Sequence, residues 1–71
     1  MKLSYDASTD SLYIHLVDRP GTDSDEVSDG VVLDYDAAGH LVGIDVQHAS
    51  KIADIDQLIV EAMPVRHLQA A

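Results

Sequence analysis

The fold is decided by two related stretches, Tyr5-Asp6-Ala7-Ser8 and Tyr35-Asp36-Ala37-Ala38, in which almost the same four residues recur thirty positions apart. Each stretch ends a run of alternating apolar residues, and each is followed by a short polar bend and a second alternating run. Side chains of a β-strand point alternately to the two faces of a sheet, and the bend between paired strands needs turn-forming residues. The repeat therefore predicts two β-hairpins.

The alternation also sets the bounds of four predicted strands, at residues 2–6, 11–17, 31–36 and 40–47. The segment 18–29 between the second and third strands contains Pro20, Gly21 and many acidic residues. Because such residues interrupt the alternation and favour turns, we expect this acidic loop to be the longest and most mobile part of the chain.

After Ser50 the apolar residues recur at spacings of three and four, which is typical of one stripe on an amphipathic helix. The residues of this stripe are Ile52, Ile55, Leu58, Ile59 and Ala62. Asp54-Ile55-Asp56-Gln57 resembles a capping box, and Pro64 ends the pattern. The spacing therefore predicts a helix over residues 54–63, followed by a tail over 64–71.

These elements predict an α+β domain: a four-stranded antiparallel β-meander, made of two hairpins, with the carboxy-terminal helix packed on one face. The helix stripe needs an apolar surface, which one side of the strands supplies through Leu12, Ile14, Leu33, Val42 and Ile44. The opposite side mixes apolar and polar residues, as a protein-binding surface does. The candidate residues of this interaction face are Tyr13, His15, Val17, Val32 and Leu41.

The length of 71 residues limits the chain to a single small domain, residues 1–71. A core of this size rarely supplies more than about 3–5 kcal/mol of stability, so small domains usually need reinforcement. The absence of cysteine excludes disulfides and thiolate metal sites. Self-association as a homodimer is therefore the reinforcement that we expect.

The formal net charge of −9 restricts the class of partner. Phosphate backbones are bound by clustered basic side chains, whereas the four Lys and Arg residues here are scattered, so nucleic acid is not an expected partner. A small basic protein is an expected one. The sequence shows no secretory signal and no apolar run of the roughly 20 residues that cross a bilayer, which predicts a cytoplasmic location with no membrane contact.

The residues of the two hairpins also match a pattern found in a family of short bacterial proteins. They are Tyr5-Asp6, Asp10-Ser11-Leu12-Tyr13-Ile14, Gly30-Val31-Val32-Leu33-Asp34-Tyr35-Asp36, Gly39, Val42-Gly43-Ile44-Asp45-Val46 and Ala49-Ser50. Through them the chain resembles domain-of-unknown-function family 2283 over about residues 2–52. The family often has Glu after Gly-Ile, where this chain has the shorter Asp45.

This resemblance implies a small β-rich fold with no established activity and no recognised catalytic residues. Some relatives are encoded beside small toxin-like proteins, which implies an antitoxin-like role. The helix and tail after Ile52 are less typical of the family, so the resemblance implies little about them.

The segment from Asp34 to Asp45 has the acidic and glycine spacing of a calcium-binding loop. Against that interpretation, Ala38 replaces a usual ligand, Asp45 is short for a bidentate role, and the flanks are predicted strands rather than helices. A hairpin turn with Gly39 in a left-handed conformation explains the same residues. A weak divalent-cation site formed by Asp34, Asp36 and Asp45 is the alternative hypothesis.

Catalysis is the weaker class of function on this sequence. The four histidines form no i, i+4 pair, and no serine lies in a nucleophile elbow. The sheet could bring His15 near Asp34 or Asp45, so an enzyme with a site between subunits remains an alternative. We expect no cofactor and no catalytic residue, and the leading hypothesis is a small acidic protein-interaction module that is not an enzyme.

Overall fold

The structure is a computed structural model that describes residues 1–70. It contains one antiparallel sheet of five strands and one short helix, in the order β1 Lys2–Asp6, β2 Ser11–His15, β3 Asp23–Ser28, β4 Val31–Tyr35, β5 Leu41–Val46 and α1 Ala49–Ile52. Across the sheet the strands lie in the order β1-β2-β5-β4-β3. The prediction of a mainly antiparallel sheet with one helix is confirmed, whereas the predicted number of strands, four, is wrong. No helix in residues 1–70 has the length and apolar character to cross a membrane.

The two hairpins that the repeat predicts are present as β1–β2 and β4–β5. Their turns are built in the same way, since one aspartate at the end of each outer strand accepts a backbone N–H two residues further on. The Asp6 Oδ1 accepts from Ser8 at 3.0 Å, and the Asp36 Oδ1 accepts from Ala38 at 3.0 Å. This arrangement is the turn that an aspartate side chain favours by imitating a backbone carbonyl.

The second strands of the two hairpins, β2 and β5, pair with each other at the centre of the sheet. Ile14 lies opposite Ile44 where β2 pairs with β5. On their other sides, Ile14 lies opposite Leu3 in β1, and Ile44 lies opposite Leu33 in β4. Because the residues of the second hairpin lie thirty positions after those of the first, the hairpins are related by a local two-fold axis between Ile14 and Ile44. The sequence repeat is thus expressed as a symmetric four-stranded unit.

The prediction of a four-stranded meander is wrong in two respects. A fifth strand, β3, lies inside the predicted acidic loop and pairs with β4, and β2 pairs with β5 rather than with the next strand along the chain. Residues 16–22 cross one end of the sheet, where the Leu16 N–H donates to the Val42 carbonyl and the Thr22 N–H to the Tyr35 carbonyl. A charged segment forms a strand here because an edge strand exposes its side chains to solvent.

The predicted helix over residues 54–63 is also wrong, and no carboxy-terminal helix covers the sheet in the described residues. The helix α1 ends at Ile52, and residues 53–70 are irregular and exposed. The predicted helix contains three β-branched residues within ten positions, and a helix so short is marginal without packing. Ala62 has a φ of 55°, which is incompatible with a right-handed helix. The predicted tail over 64–71 is irregular through residue 70, and Ala71 lies outside the described residues.

The sheet has one apolar and one polar face, because residues paired across antiparallel strands lie on the same side. The apolar face includes Leu3, Tyr5, Leu12, Ile14, Val31, Leu33, Ile44 and Val46, and Asp25 of β3, opposite Leu33, lies at its margin. The polar face consists of Lys2, Ser4, Asp6, Ser11, Tyr13, His15, Ser24, Glu26, Val32, Asp34, Gly43 and Asp45. Among the apolar residues described, only Val42 and Ala49 are buried. Without a covering helix, the apolar face therefore remains partly open to solvent.

Candidate functional site

The structure places the five residues of the predicted interaction face at two locations. Tyr13, His15 and Val32 lie on the polar face of the sheet, where they are partly exposed. Leu41 begins β5 and Val17 follows the end of β2, and both are exposed. The strand alternation therefore brings three of the five residues to one face, and the other two lie at the end of the sheet that residues 16–22 cross.

The most specific contact of the polar face joins two strands that are not neighbours. The phenol of Tyr13 in β2 donates to Oδ2 of Asp34 in β4 at 2.6 Å, and β5 runs between them. The ring passes over Gly43, where a Cβ atom would overlap the phenol of Tyr13. Gly43 therefore provides the space for this contact, and any larger residue would displace the ring.

Other side chains extend this contact across the whole sheet. The Ser24 hydroxyl of β3 donates to Oδ1 of Asp34 at 2.8 Å. On the other side, the His15 ring lies 4.4 Å from that of Tyr13 between centroids, and Ser4 Oγ lies 3.5 Å from Nε2 of His15. These five side chains form a polar row that spans all five strands.

The chemistry of the polar row favours a structural role. The hydrogen bond to the Asp34 carboxylate, together with partial burial, raises the pKa of Tyr13 to about 12. At neutral pH the phenol therefore keeps its proton and acts as a donor, so it is a poor candidate for a general base. His15 contacts the Tyr13 ring and Ser4, whereas Asp34 accepts hydrogen bonds from Tyr13 and Ser24. The acid–base pair of His15 with Asp34 or Asp45 therefore stays a hypothesis from the sequence.

The three candidate cation ligands lie in different local structures. Asp34 belongs to the polar row, and Asp45 lies opposite Tyr13 on β5. Asp36 forms the turn: its Oδ1 accepts the backbone N–H groups of Ala38 and His40, and these bonds lower its pKa, chiefly through His40.

The other oxygen of Asp36, Oδ2, lies 3.2 Å from Nε of Arg19. Gly39 has a φ of 84°, as the hairpin-turn interpretation expects. Within residues 1–70, no group of three or more His, Asp or Glu side chains is gathered as metal ligands would be. The cation site remains a sequence-based hypothesis.

Asp10 is an organising residue that the sequence interpretation placed only in a bend. Its carboxylate accepts the phenol O–H of Tyr5 at 2.7 Å and the hydroxyl of Ser50 at 2.6 Å, while its carbonyl accepts the N–H of Ala49. These bonds, above all the one from Ser50, lower the pKa of Asp10. They attach α1 to the first hairpin. The signal in the sequence was the presence of Asp10 and Ala49-Ser50 in one family pattern, forty residues apart.

An apolar groove of about 420 Å³ lies on the apolar face beside β1. The sheet contributes Leu3, Tyr5 and Leu12, and the segment after α1 forms the opposite wall with Ala53, Asp54, Ile55, Gln57 and Leu58. The side chains on both walls are exposed, to 47% in Tyr5 and 68% in Leu58. We call this feature the β1 groove. Its position next to an edge strand makes it accessible to a second protein.

Comparison with known proteins gives one match. A family model described as "Protein of unknown function (DUF2283)" matches residues 2–50, which include all five strands and the beginning of α1. No curated protein and no solved structure gave a significant match to the chain. The match ends before the segment that forms the outer wall of the β1 groove.

Proposed function

The chain belongs to the DUF2283 family of proteins of unknown function, and from this premise we propose that it is a small acidic protein-interaction module that works as a homodimer. The binding surface in this proposal is the part of the apolar face next to β1, together with the β1 groove. The module carries out no reaction of its own.

The observation that carries the proposal is the amount of surface that the single chain leaves exposed. Its solvent-accessible area is 5758 Å². A compact monomer of 7.7 kDa exposes about 4,300 Å², so the excess is about 1,400 Å². A stable protein interface covers about 800 Å² on each partner. The excess is larger than one such interface, and the exposed segment 53–70, which includes one wall of the β1 groove, contributes to it.

The position of the exposed apolar residues supports the same proposal. Leu3 and Tyr5 are 43% and 47% exposed on the apolar face, and Ile55 and Leu58 are exposed on the opposite wall of the β1 groove. The radius of gyration is 13.0 Å, whereas a compact chain of this length has about 11 Å. Burial of this surface against a second copy would remove apolar area from water, which is the main favourable term in association.

The test is the mass of the full chain in solution, measured by light scattering over a range of concentrations. We expect a dimer, and we expect Leu58→Ser to shift the equilibrium toward the monomer. Leu68→Ser is the matched control, because Leu68 is equally apolar and 78% exposed but does not line the β1 groove. A native chain that stays monomeric at millimolar concentration would contradict the proposal.

A second candidate function is favoured by the charge of β3, and it is the antitoxin-like binding of a small basic protein. All six residues of β3 are exposed, and Asp23, Asp25 and Glu26 follow one another along this edge. An acidic strand of this kind attracts a basic partner, and the attraction weakens with salt.

Co-expression with a small basic protein, if a neighbouring gene encodes one, provides the test of this second function. We expect Asp25→Asn with Glu26→Gln to weaken binding more than Asp56→Asn with Glu61→Gln, two acids outside the sheet that do not line the β1 groove. An equal loss for the two double variants would assign the effect to net charge and remove β3 from the proposal.

A further inference from the structure

The two edge strands of the sheet differ in how far they resist pairing with another strand. In β3 three carboxylates lie on the edge, and the register with β4 shifts between Glu26 and Ser28, which marks a β-bulge. Charges and bulges on an edge strand hinder the addition of a further strand. In β1 the register with β2 is regular from Lys2 to Asp6, and the central residues are uncharged. The open edge of the sheet is therefore β1.

The backbone groups that β1 offers to a new strand follow from the hydrogen bonds of β2. The Leu16 N–H donates to the Val42 carbonyl of β5. Since the bonding direction alternates along a strand, the even-numbered residues of β2 bond to β5 and the odd-numbered ones bond to β1. The partners of those odd-numbered residues are Lys2, Ser4 and Asp6. The N–H and C=O groups of Leu3 and Tyr5 consequently point outward.

The sequence of β1 is complementary to itself when a second copy lies antiparallel and centred on Ser4. In this register Lys2 lies opposite Asp6 of the second copy, and Leu3 lies opposite its Tyr5. Opposite charges and aromatic–aliphatic pairs directly across two strands are favourable. A shift by one residue would place polar-face residues opposite apolar-face residues, and a shift by two would separate Lys2 from Asp6.

We propose that two copies of this chain join through their β1 strands in that register and form one continuous ten-stranded sheet. The inference rests on the homodimer proposed above and identifies its interface. Leu3 and Tyr5 of each copy exchange backbone hydrogen bonds with those of the other. Both residues also line the β1 groove, so the grooves of the two copies adjoin at the contact, and Ile55 and Leu58 lie beside it.

The register predicts the position in β1 at which an engineered disulfide can link the two copies. Ser4 faces Ser4 of the second copy as a non-hydrogen-bonded pair, whose Cα atoms lie about 4.5 Å apart. This distance falls within the range of about 4.4–6.8 Å that a disulfide bridges. The chain has no cysteine, so Ser4→Cys supplies a single thiol. We expect the oxidised variant to form a covalent dimer almost completely at concentrations where the native chain is dimeric.

The matched control is Ser28→Cys, which places the same thiol on the opposite edge of the sheet, in β3. We expect this variant to form little covalent dimer under the same conditions. Equal amounts of covalent dimer in the two variants, or none in Ser4→Cys, would overturn the β1 pairing. If the native chain is nevertheless dimeric, the proposed homodimer stands and only its interface is wrong.

A charge variant tests the register independently of cysteine chemistry. Lys2→Glu places like charges opposite each other twice in the symmetric contact, and we expect the dissociation constant of the dimer to rise several-fold at low salt. Lys51→Glu, which changes the net charge equally in α1, should leave the dissociation constant nearly unchanged. Equal effects of the two variants would contradict the register.

Discussion

The first hairpin, β1–β2, and the second hairpin, β4–β5, have the same sequence pattern and the same turn, yet their outer strands have different surroundings. The outer strand β4 of the second hairpin is paired with β3, whereas β1 is an edge strand. The segment 16–28, which the repeat does not include, makes this difference. Local sequence therefore determines each hairpin, whereas the chain between the hairpins determines which edge of the sheet stays open.

The two hairpins also differ at one pair of equivalent positions in their inner strands. Tyr13 in β2 and Gly43 in β5 lie thirty residues apart and are related by the local two-fold axis. The large residue of one hairpin covers the small residue of the other, and its phenol reaches Asp34. This break in the symmetry joins the two hairpins on the polar face.

The largest effect that we expect from a change to this pair is that of Gly43→Val. The new side chain would overlap the ring of Tyr13, and we expect the free energy of unfolding to fall by about 1–3 kcal/mol, as it does on overpacking. Urea unfolding measures this change. In a Tyr13→Ala background the ring is absent, so the same substitution should cost much less. An equal cost in both backgrounds would show that the contact over Gly43 is not the cause.

The next effect compares equivalent turn positions, Asp10 in the first hairpin and His40 in the second. Asp10→Ala removes the bonds to Tyr5 and Ser50, so we expect the melting temperature to fall by several degrees and the Ser50 amide to exchange faster with solvent. The His40 side chain is exposed, and its Nδ1 lies 3.7 Å from Oδ2 of Asp36. His40→Ala should therefore change the melting temperature little, and a similar fall in both variants would contradict the assigned role of Asp10.

A smaller effect concerns acid. Hydrogen bonds lower the pKa of Asp6, chiefly from Ser8, of Asp10, chiefly from Ser50, and of Asp36, chiefly from His40. A lowered pKa in the folded state adds stability above the unfolded-state value of about 3.9, and this stability is lost as the pH falls through the folded-state pKa. Thermal melts should therefore show decreasing stability below about pH 4. The decrease should be shallower for Asp10→Ala than for His40→Ala.

The smallest effect is a change in the titration of one tyrosine. The pKa of Tyr13 is about 12, and the Asp34 carboxylate is the main cause. A raised pKa adds stability that is complete below the usual value of 10.0 and is lost as the pH rises toward 12. Asp34→Asn should return the pKa toward 10.0, whereas Asp45→Asn should lower it less. The absorbance of the phenolate measures both variants, and an equal shift would show that proximity of charge, and not the hydrogen bond, controls the titration.

The sequence predicted those parts of the fold in which local pattern and tertiary structure agree. The bounds of β1 were predicted correctly because alternation and turn chemistry coincide at Asp6. The strand β3 was missed because Asp23–Ser28 has the composition of a loop. It is held as a strand by backbone pairing with β4 and not by apolar side chains. The helix over 54–63 was predicted from the spacing of its apolar residues. In the structure two of these residues, Ile55 and Leu58, line the β1 groove.

The contacts of the candidate site were less predictable than the elements. The alternation placed Tyr13, His15 and Val32 on one face, but it gave no indication that Tyr13 would cross a whole strand to reach Asp34. The role of Asp10 depends on a pairing with Ser50 over forty residues, which no local rule describes. Long-range contacts of this kind arise from the order of the strands, and the predicted meander order is wrong because local pattern does not determine which hairpin strands pair with each other.

The acidic edge strand β3 has a consequence for the behaviour of the protein in concentrated solution. In the proposed dimer, both ends of the combined sheet would be β3 strands, whose like charges and bulge oppose the addition of more chains. We therefore expect assembly to stop at the dimer and not to continue into a fibril. Replacing these carboxylates by amides removes the charge, and we expect such a variant to precipitate through the two ends that the acids protect in the native chain.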